Sequence, residues 1–170
     1  YLGYFQLIFL SDHFVVYDDV SFIKQGWINS NRILINGRES RFSVPLKSIS
    51  SFRKISETEL DADSYPRWRE KFYRTLKMHY GKSEFFGPAV GCISAVLDRD
   101  AVTVGDLARD SIREIARYLA IPLSMTESSS CYENSQLHGS DRIIDICRRE
   151  NASGYLNLPG GRQLYDHAAF

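Results

Sequence analysis

The stretch YDDVSFIKQGWINSNRI, residues 17–33, concentrates groups that could bind or transform a polar ligand. Asp18 and Asp19 end the apolar run HFVVY. One carboxylate at a strand end serves to cap a turn, but a second is surplus to that task and could hold an amine or take its proton. Lys24 opens a basic block: seven cations from Lys24 to Lys54 face one acid, Glu39, a local charge of about +6 that could hold phosphate or carboxylate. Trp27, Asn29 and Asn31 alternate, so an extended segment would put an indole and two carboxamides on one face, the combination that grips sugars and bases. Arg32 would add a planar fork for an anion. The plainer reading of the same residues is a core indole, two turn asparagines and an exposed strand arginine. Composition does not choose between the two.

Two further stretches carry comparable chemistry. His138-Gly139-Ser140-Asp141-Arg142 opens a helical pattern, with Ser140 as cap and Arg142 close by, and free amides there could receive an anion. Any capped helix offers that much. NLPGGRQLY places Asn157, Gly160, Gly161 and Tyr165 on a turn after an apolar run, without the spacing of a dinucleotide fingerprint or a phosphate-binding Walker loop. His13, His79, His138 and His167 lack paired spacing, so no metal ligand is assigned, and no serine or cysteine sits in a nucleophile motif.

These groups need elements to position them. YLGYFQLIFL reads as a helix and HFVVY as a short buried strand. In RILINGRESRFSVPL, Asn36-Gly37 between ILI and FSV predicts a β-hairpin. Residues 48–64 are Ser-rich, pass from basic to acidic, and read as a mobile loop or lid. Three helices follow: YPRWREKFYRTLKMHY with Trp68 and Phe72 on its core face, FFGPAVGCISAVL, and TVGDLARDSIREIARYL with Thr103 as N-cap. IPLSMTE is then a strand, DRIIDICRRE a helix and SGYLNLP a last strand. Strands alternating with helices at both ends, with an inserted hairpin, predict an α/β fold with a parallel-rich sheet flanked by helices. Ligands of such sheets lie beyond the carboxyl ends of the strands, where 18–32, 126–142 and 157–166 could converge.

At 170 residues, with 44% apolar and 25% charged side chains, the chain suits a single domain with a sizeable core. Lys plus Arg equals Asp plus Glu at 21 each, so no global field draws nucleic acid or anionic lipid, and nucleic acid is not an expected partner. Three scattered cysteines, Cys92, Cys131 and Cys147, imply a reducing, cytoplasmic setting rather than a disulfide framework. No apolar run approaches the roughly 18 residues a membrane span requires.

GYFQLI, FVVYDDVSFIKQGWINSNRILINGR and GSDRIIDICRRENASGYLNLPGGRQLYD together resemble the WbqC-like family of bacterial proteins over nearly the whole chain. The resemblance implies a cytoplasmic role on sugar nucleotides in surface polysaccharide and O-antigen biosynthesis, with a small aminoacyl or acyl group transferred to an amino sugar. Family members usually begin with a strand ending in Gln-Pro and continue past the equivalent of LYDHAAF, so an N-terminal strand and a C-terminal segment are expected outside this chain. By analogy alone, the order of elements is also similar to the pantothenate synthetase branch of the nucleotidyltransferase-like, Rossmann-like folds, which activate a carboxylate with ATP and pass the acyl group to an amine.

The leading expectation is therefore a transferase or ATP-dependent ligase acting on an amino-sugar nucleotide, with a small amino-acid or acyl donor. Lys24, Arg32 and Arg142 would hold phosphates or a carboxylate, and Trp27, Asn29 and Asn31 the sugar or base. Asp18 or Asp19 would meet the amine, and ATP with magnesium is a possible cofactor. The alternatives are a non-catalytic sugar-nucleotide binding protein of the same pathway and a glycosyltransferase.

Overall fold

A computed structural model describes residues 2–161. Leu2–Leu10 forms helix α1, from which Ile8 is buried, and Ser11-Asp12 ends it before strand β1, Phe14–Val15. Strands β2, Ser30–Ile35, and β3, Arg38–Ser43, pair antiparallel, with Ile35 opposite Arg38. Asn36 and Gly37 between them both take left-handed backbone, φ 52° and 75°, as the tight turn matching strand twist requires. Helices α2, Tyr65–Tyr80, α3, Phe86–Leu97, and α4, Val104–Tyr118, follow as the periodicity predicts. Strand β4 is Met125–Thr126 and helix α5 is Gly139–Arg149. The fold is mixed α/β, with β1 and β4 parallel and the hairpin forming a separate two-stranded sheet.

The chain packs as two compact units, and the first is discontinuous, comprising residues up to Asp19 and from Leu119 onward. Its centre is the β1–β4 pair. Backbone bonds extend the pairing beyond two residues: Phe14 N to Ser124 O (2.9 Å), Val16 N to Thr126 O (3.0 Å) and Ser129 N to Val16 O (2.8 Å). Ile8, Val16, Tyr132, Ile143 and Ile146 are buried in this unit.

The second unit, Val20–Tyr118, has its core in Phe22, Val44, Leu60, Tyr65, Val96, Leu97, Val104 and Leu107. Phe22 is 1% exposed, and burying such a ring contributes roughly 1.5–3 kcal/mol. Trp68 and Phe72, expected in the core, are half-buried against it; Trp68 stacks on Phe72 at 5.2 Å between centroids, and Phe72 meets Phe42 of the hairpin at 4.7 Å. The N-cap prediction for α4 holds as a full capping box: the Thr103 hydroxyl accepts from Asp106 N (3.1 Å), and the Asp106 carboxylate accepts from Thr103 N (3.0 Å). Asp110 and Glu114, buried on α4, are paired with Arg99, Arg113 and Arg117.

One part differs from the sequence reading. SGYLNLP forms no strand: residues 152–158 are irregular and exposed, because an apolar run becomes a strand only with a ladder partner to satisfy its backbone. Residues 48–64, read as a loop, contain neither a named strand nor an α-helix; their second half holds a 3₁₀ turn at Ile55–Glu57 and bonds from Leu60 N to Val102 O (2.9 Å) and Asp61 N to Pro45 O (3.1 Å). Thr58 within it is fully buried.

Candidate functional site

Both strands of the parallel pair leave the first unit's sheet through polar turns. After β1 come Tyr17, Asp18 and Asp19; after β4 come Glu127, Ser128 and Ser129, and a 3₁₀ turn over Ser129–Tyr132. Ser128 caps that turn, its hydroxyl oxygen accepting from Ser130 N (3.2 Å) while its single proton goes to Asp18 Oδ1 (2.7 Å). Ser129 N also donates to Asp18 Oδ1 (3.2 Å). The Ser129 hydroxyl donates to Asp19 Oδ1. Parallel pairing thus delivers two carboxylates and two serines to one place, at the carboxyl ends of the strands.

Helix α5 supplies the counter-charge. Arg142 Nη2 reaches both oxygens of Asp19, at 2.6 and 2.5 Å, with about 5% of either side chain exposed. Its Nε donates to Asn134 Oδ1 (3.0 Å), and Asn134 Nδ2 donates to Asp145 Oδ2 (2.7 Å). The guanidinium carbon lies 5.0 Å from the centre of the Tyr17 ring. Such a pair tolerates burial only because each member is also hydrogen-bonded.

Asp18 is different. It is 6% exposed and receives only neutral donors, and among the described residues it makes no ion pair. The two adjacent acids therefore have separate surroundings: Asp19 pairs with Arg142, while Asp18 accepts only from a serine hydroxyl and an amide.

The other expected site residues fall as follows. Ser140 lies in the first turn of α5 but does not cap it; His138 is the N-cap residue, without a side-chain cap bond, and Gly139 has φ 53°. Asn157 Oδ1 accepts from Leu158 N (2.8 Å), and Gly161 packs so closely on Asn157 that a Cβ would come within 2.2 Å of its amide nitrogen. Gly160 is exposed beside them, and Tyr165 lies outside the described residues. Lys24, Trp27, Asn29, Asn31 and Arg32 belong to the second unit. There residues 24–29 run in bends rather than extended, which removes the single face inferred from their alternation. Asn29 Nδ2 donates to Val44 O (2.9 Å) and Asn31 Oδ1 accepts from Arg32 N (2.8 Å), so both carboxamides serve the backbone. Trp27 is exposed under the Arg32 guanidinium, 4.9 Å from the ring centre, and Arg32 also pairs with Glu39 across the hairpin (2.8 Å).

Ser128, Ser129, Asn134 and Tyr17 had not been singled out from the sequence. Their signal was the triple serine directly after a predicted strand, in ESSSCYEN. A second polar cluster, nearer the amino ends of the strands, joins His13 to Ser124 Oγ and Thr126 Oγ1, each at 2.8 Å, with Glu150 3.6 Å away. Tyr132 donates to Glu150, and burial, then this bond, push its hydroxyl up to about 12. Among the described residues no group of three or more His, Cys, Asp or Glu is arranged to hold a metal ion, and no helix is long and apolar enough to cross a membrane.

The chain is similar to an uncharacterized protein of Mycobacterium tuberculosis, 28% identical over 170 residues that cover 99% of this chain and 71% of that protein. No solved structure matches it. The model of the WbqC-like protein family matches residues 1–170, and the chain belongs to that family.

Proposed function

We propose that the protein is a cytoplasmic transferase or ATP-dependent ligase joining a small aminoacyl or acyl group to an amino-sugar nucleotide, with Asp18 as the group that meets the amine. The observation that carries this reading is the division of labour between the acids: Asp19 is committed to Arg142, and Asp18 is a buried carboxyl that accepts only from neutral donors. A carboxylate in that setting favours an incoming ammonium and can take its proton when the amine attacks an activated carbonyl, the leaving group departing with the acyl bond pair. The family's general association with polysaccharide biosynthesis supports an amino sugar as acceptor.

A donor that is a free carboxylate draws on ATP for activation; a preactivated donor does not. Magnesium would enter with the nucleotide phosphates, and Asp18, kept for the amine, is not assigned to it. Arg142 is withdrawn from phosphate binding by its pairing with Asp19, and Arg32 is engaged by Glu39 and Trp27.

The test is incubation of the protein with ATP, glycine and a nucleotide-linked 4-amino sugar, with the coupled product read by mass spectrometry. Asp18→Asn should lower the rate by roughly 10²–10⁴ while leaving the fold intact. Absence of product across activated and free donors would end the enzymatic reading. The internal satisfaction of the Asp19–Arg142–Asn134 network favours a second one, a sugar-nucleotide binding protein without turnover, and calorimetry would then show binding that survives Asp18→Asn.

A further inference from the structure

The second unit carries two adjoining turns beside its buried Phe22. A bridge between Ser21 and Lys54, with Phe22 N to Arg53 O (2.8 Å) and Ile55 N to Val20 O (2.9 Å), runs residues 20–22 antiparallel to 53–55. Gly26 N to Ile23 O (3.3 Å) folds the first segment back, while Arg53 N to Ser50 O (3.3 Å) and Phe52 N to Ser50 Oγ (3.2 Å) tighten the second. Phe22 anchors this tip in the core. Its neighbours do the opposite: Ile23 is 67%, Trp27 55%, Ile49 49% and Phe52 98% exposed. A lone exposed apolar side chain is ordinary, but four large ones on two adjoining turns form a patch that water disfavours.

The same turns hold no acid. Residues 21–28 and 47–54 contain Lys24, Lys47, Arg53 and Lys54 and neither Asp nor Glu. Lys47 is paired with Glu59, whereas Lys24 and Arg53 are exposed and make no ion pair among the described residues. Arg41 reaches Gly26 O (3.4 Å), adding a cation at the rim. A chain of zero net charge thus gathers an excess of positive charge around four exposed aromatic and aliphatic side chains, with Glu59, paired to Lys47, also acting on Arg53.

We propose that these two turns dock on an anionic lipid surface, with Phe52, Ile23 and Trp27 entering the headgroup boundary and Lys24 and Arg53 meeting lipid phosphates. Aromatic and aliphatic tips with flanking cations are the composition that boundary selects. A second copy of the chain is a poorer occupant, because a twofold contact would set like charges face to face. A nucleic acid would gain from the cations but leave the two isoleucines without a favourable contact.

The test is co-sedimentation with vesicles of phosphatidylcholine alone and of phosphatidylcholine mixed equally with phosphatidylglycerol. The protein should partition at least about tenfold more strongly to the anionic vesicles, and added salt should release it. Phe52→Ser with Ile23→Ser, and separately Lys24→Glu with Arg53→Glu, should each reduce partitioning about tenfold with unchanged circular dichroism, since all four side chains are exposed. Brominated lipid should quench Trp27 fluorescence in a Trp68→Phe background. Equal binding to both vesicle types, binding indifferent to Phe52 and Ile23, displacement by a single-stranded oligonucleotide regardless of Phe52, or a dimer dissolved by the Phe52 change would each overturn the proposal.

Discussion

Asp19 and Arg142, 123 residues apart in the chain, form one chelate: a single guanidinium nitrogen lies 2.6 and 2.5 Å from the two carboxylate oxygens, out of contact with water. It joins the turn after β1 to the first turns of α5. Removing either member strands the other charge in a low-dielectric setting. Asp19→Ala or Arg142→Ala should each cost about 3–5 kcal/mol in urea unfolding, and the double variant should cost much less than the sum. Losses under about 1 kcal/mol, in the range of exposed pairs, would show that the pair is solvated.

The capping box of α4 predicts an acid-side effect. Burial raises the Asp106 carboxyl, but hydrogen bonds from Thr103 and the charge of Arg109 outweigh it, and the net position is below the ordinary 3.8. A folded value below the unfolded one contributes stability that is complete above the ordinary carboxylate range and is lost as pH falls through it to the folded value. Thr103→Ala should therefore cost about 0.5–2 kcal/mol at neutral pH and flatten the dependence of stability on pH on the acid side. Unfolding curves from neutral pH down to pH 3 would show it.

Tyr132 predicts the alkaline counterpart. Its folded value, about 12, exceeds the ordinary 10, so its contribution is present below 10 and disappears as pH rises from there towards 12. Alkaline difference absorbance should show several late-titrating tyrosines, since Tyr4, Tyr65 and Tyr73 are raised as well, and Tyr132→Phe should reduce the late amplitude by one tyrosine. The same change deprives Glu150 of its donor and should cost about 1 kcal/mol at neutral pH. A late amplitude undiminished by the change would show that Tyr132 titrates with the ordinary tyrosines.

Trp68 stacks between Tyr65 and Phe72 and is only half-buried, so part of its surface stays wet in the folded state. Trp68→Ala should cost roughly 2–4 kcal/mol, short of the full penalty for a core indole. Leu76→Ala, at a position 6% exposed on the same helix, should fall in the same range through cavity formation alone. Thermal and urea unfolding of the two variants would compare the sites.

Helices α2 to α5 were legible because their apolar residues recur at helical spacing, and the hairpin because Asn36-Gly37 permits only a few turns. SGYLNLP was misread for a physical reason: its apolar content says nothing about whether a neighbouring strand offers hydrogen bonds. Asp18, Asp19 and Arg142 were legible as chemistry but not as partners, since no local pattern records a contact across more than a hundred residues. Trp27, Asn29 and Asn31 illustrate the opposite error, in which a sequence alternation is overruled by bends at 24–29 and by carboxamides that the backbone claims.

The discontinuity of the first unit sets an order of events during synthesis. Residues 20–118 form a contiguous piece that can fold as soon as it leaves the ribosome. The segment before it cannot complete its own unit then, because β4 and α5 have not been made. Until they emerge, Ile8 of α1, only 1% exposed in the folded chain, has no completed unit to pack into.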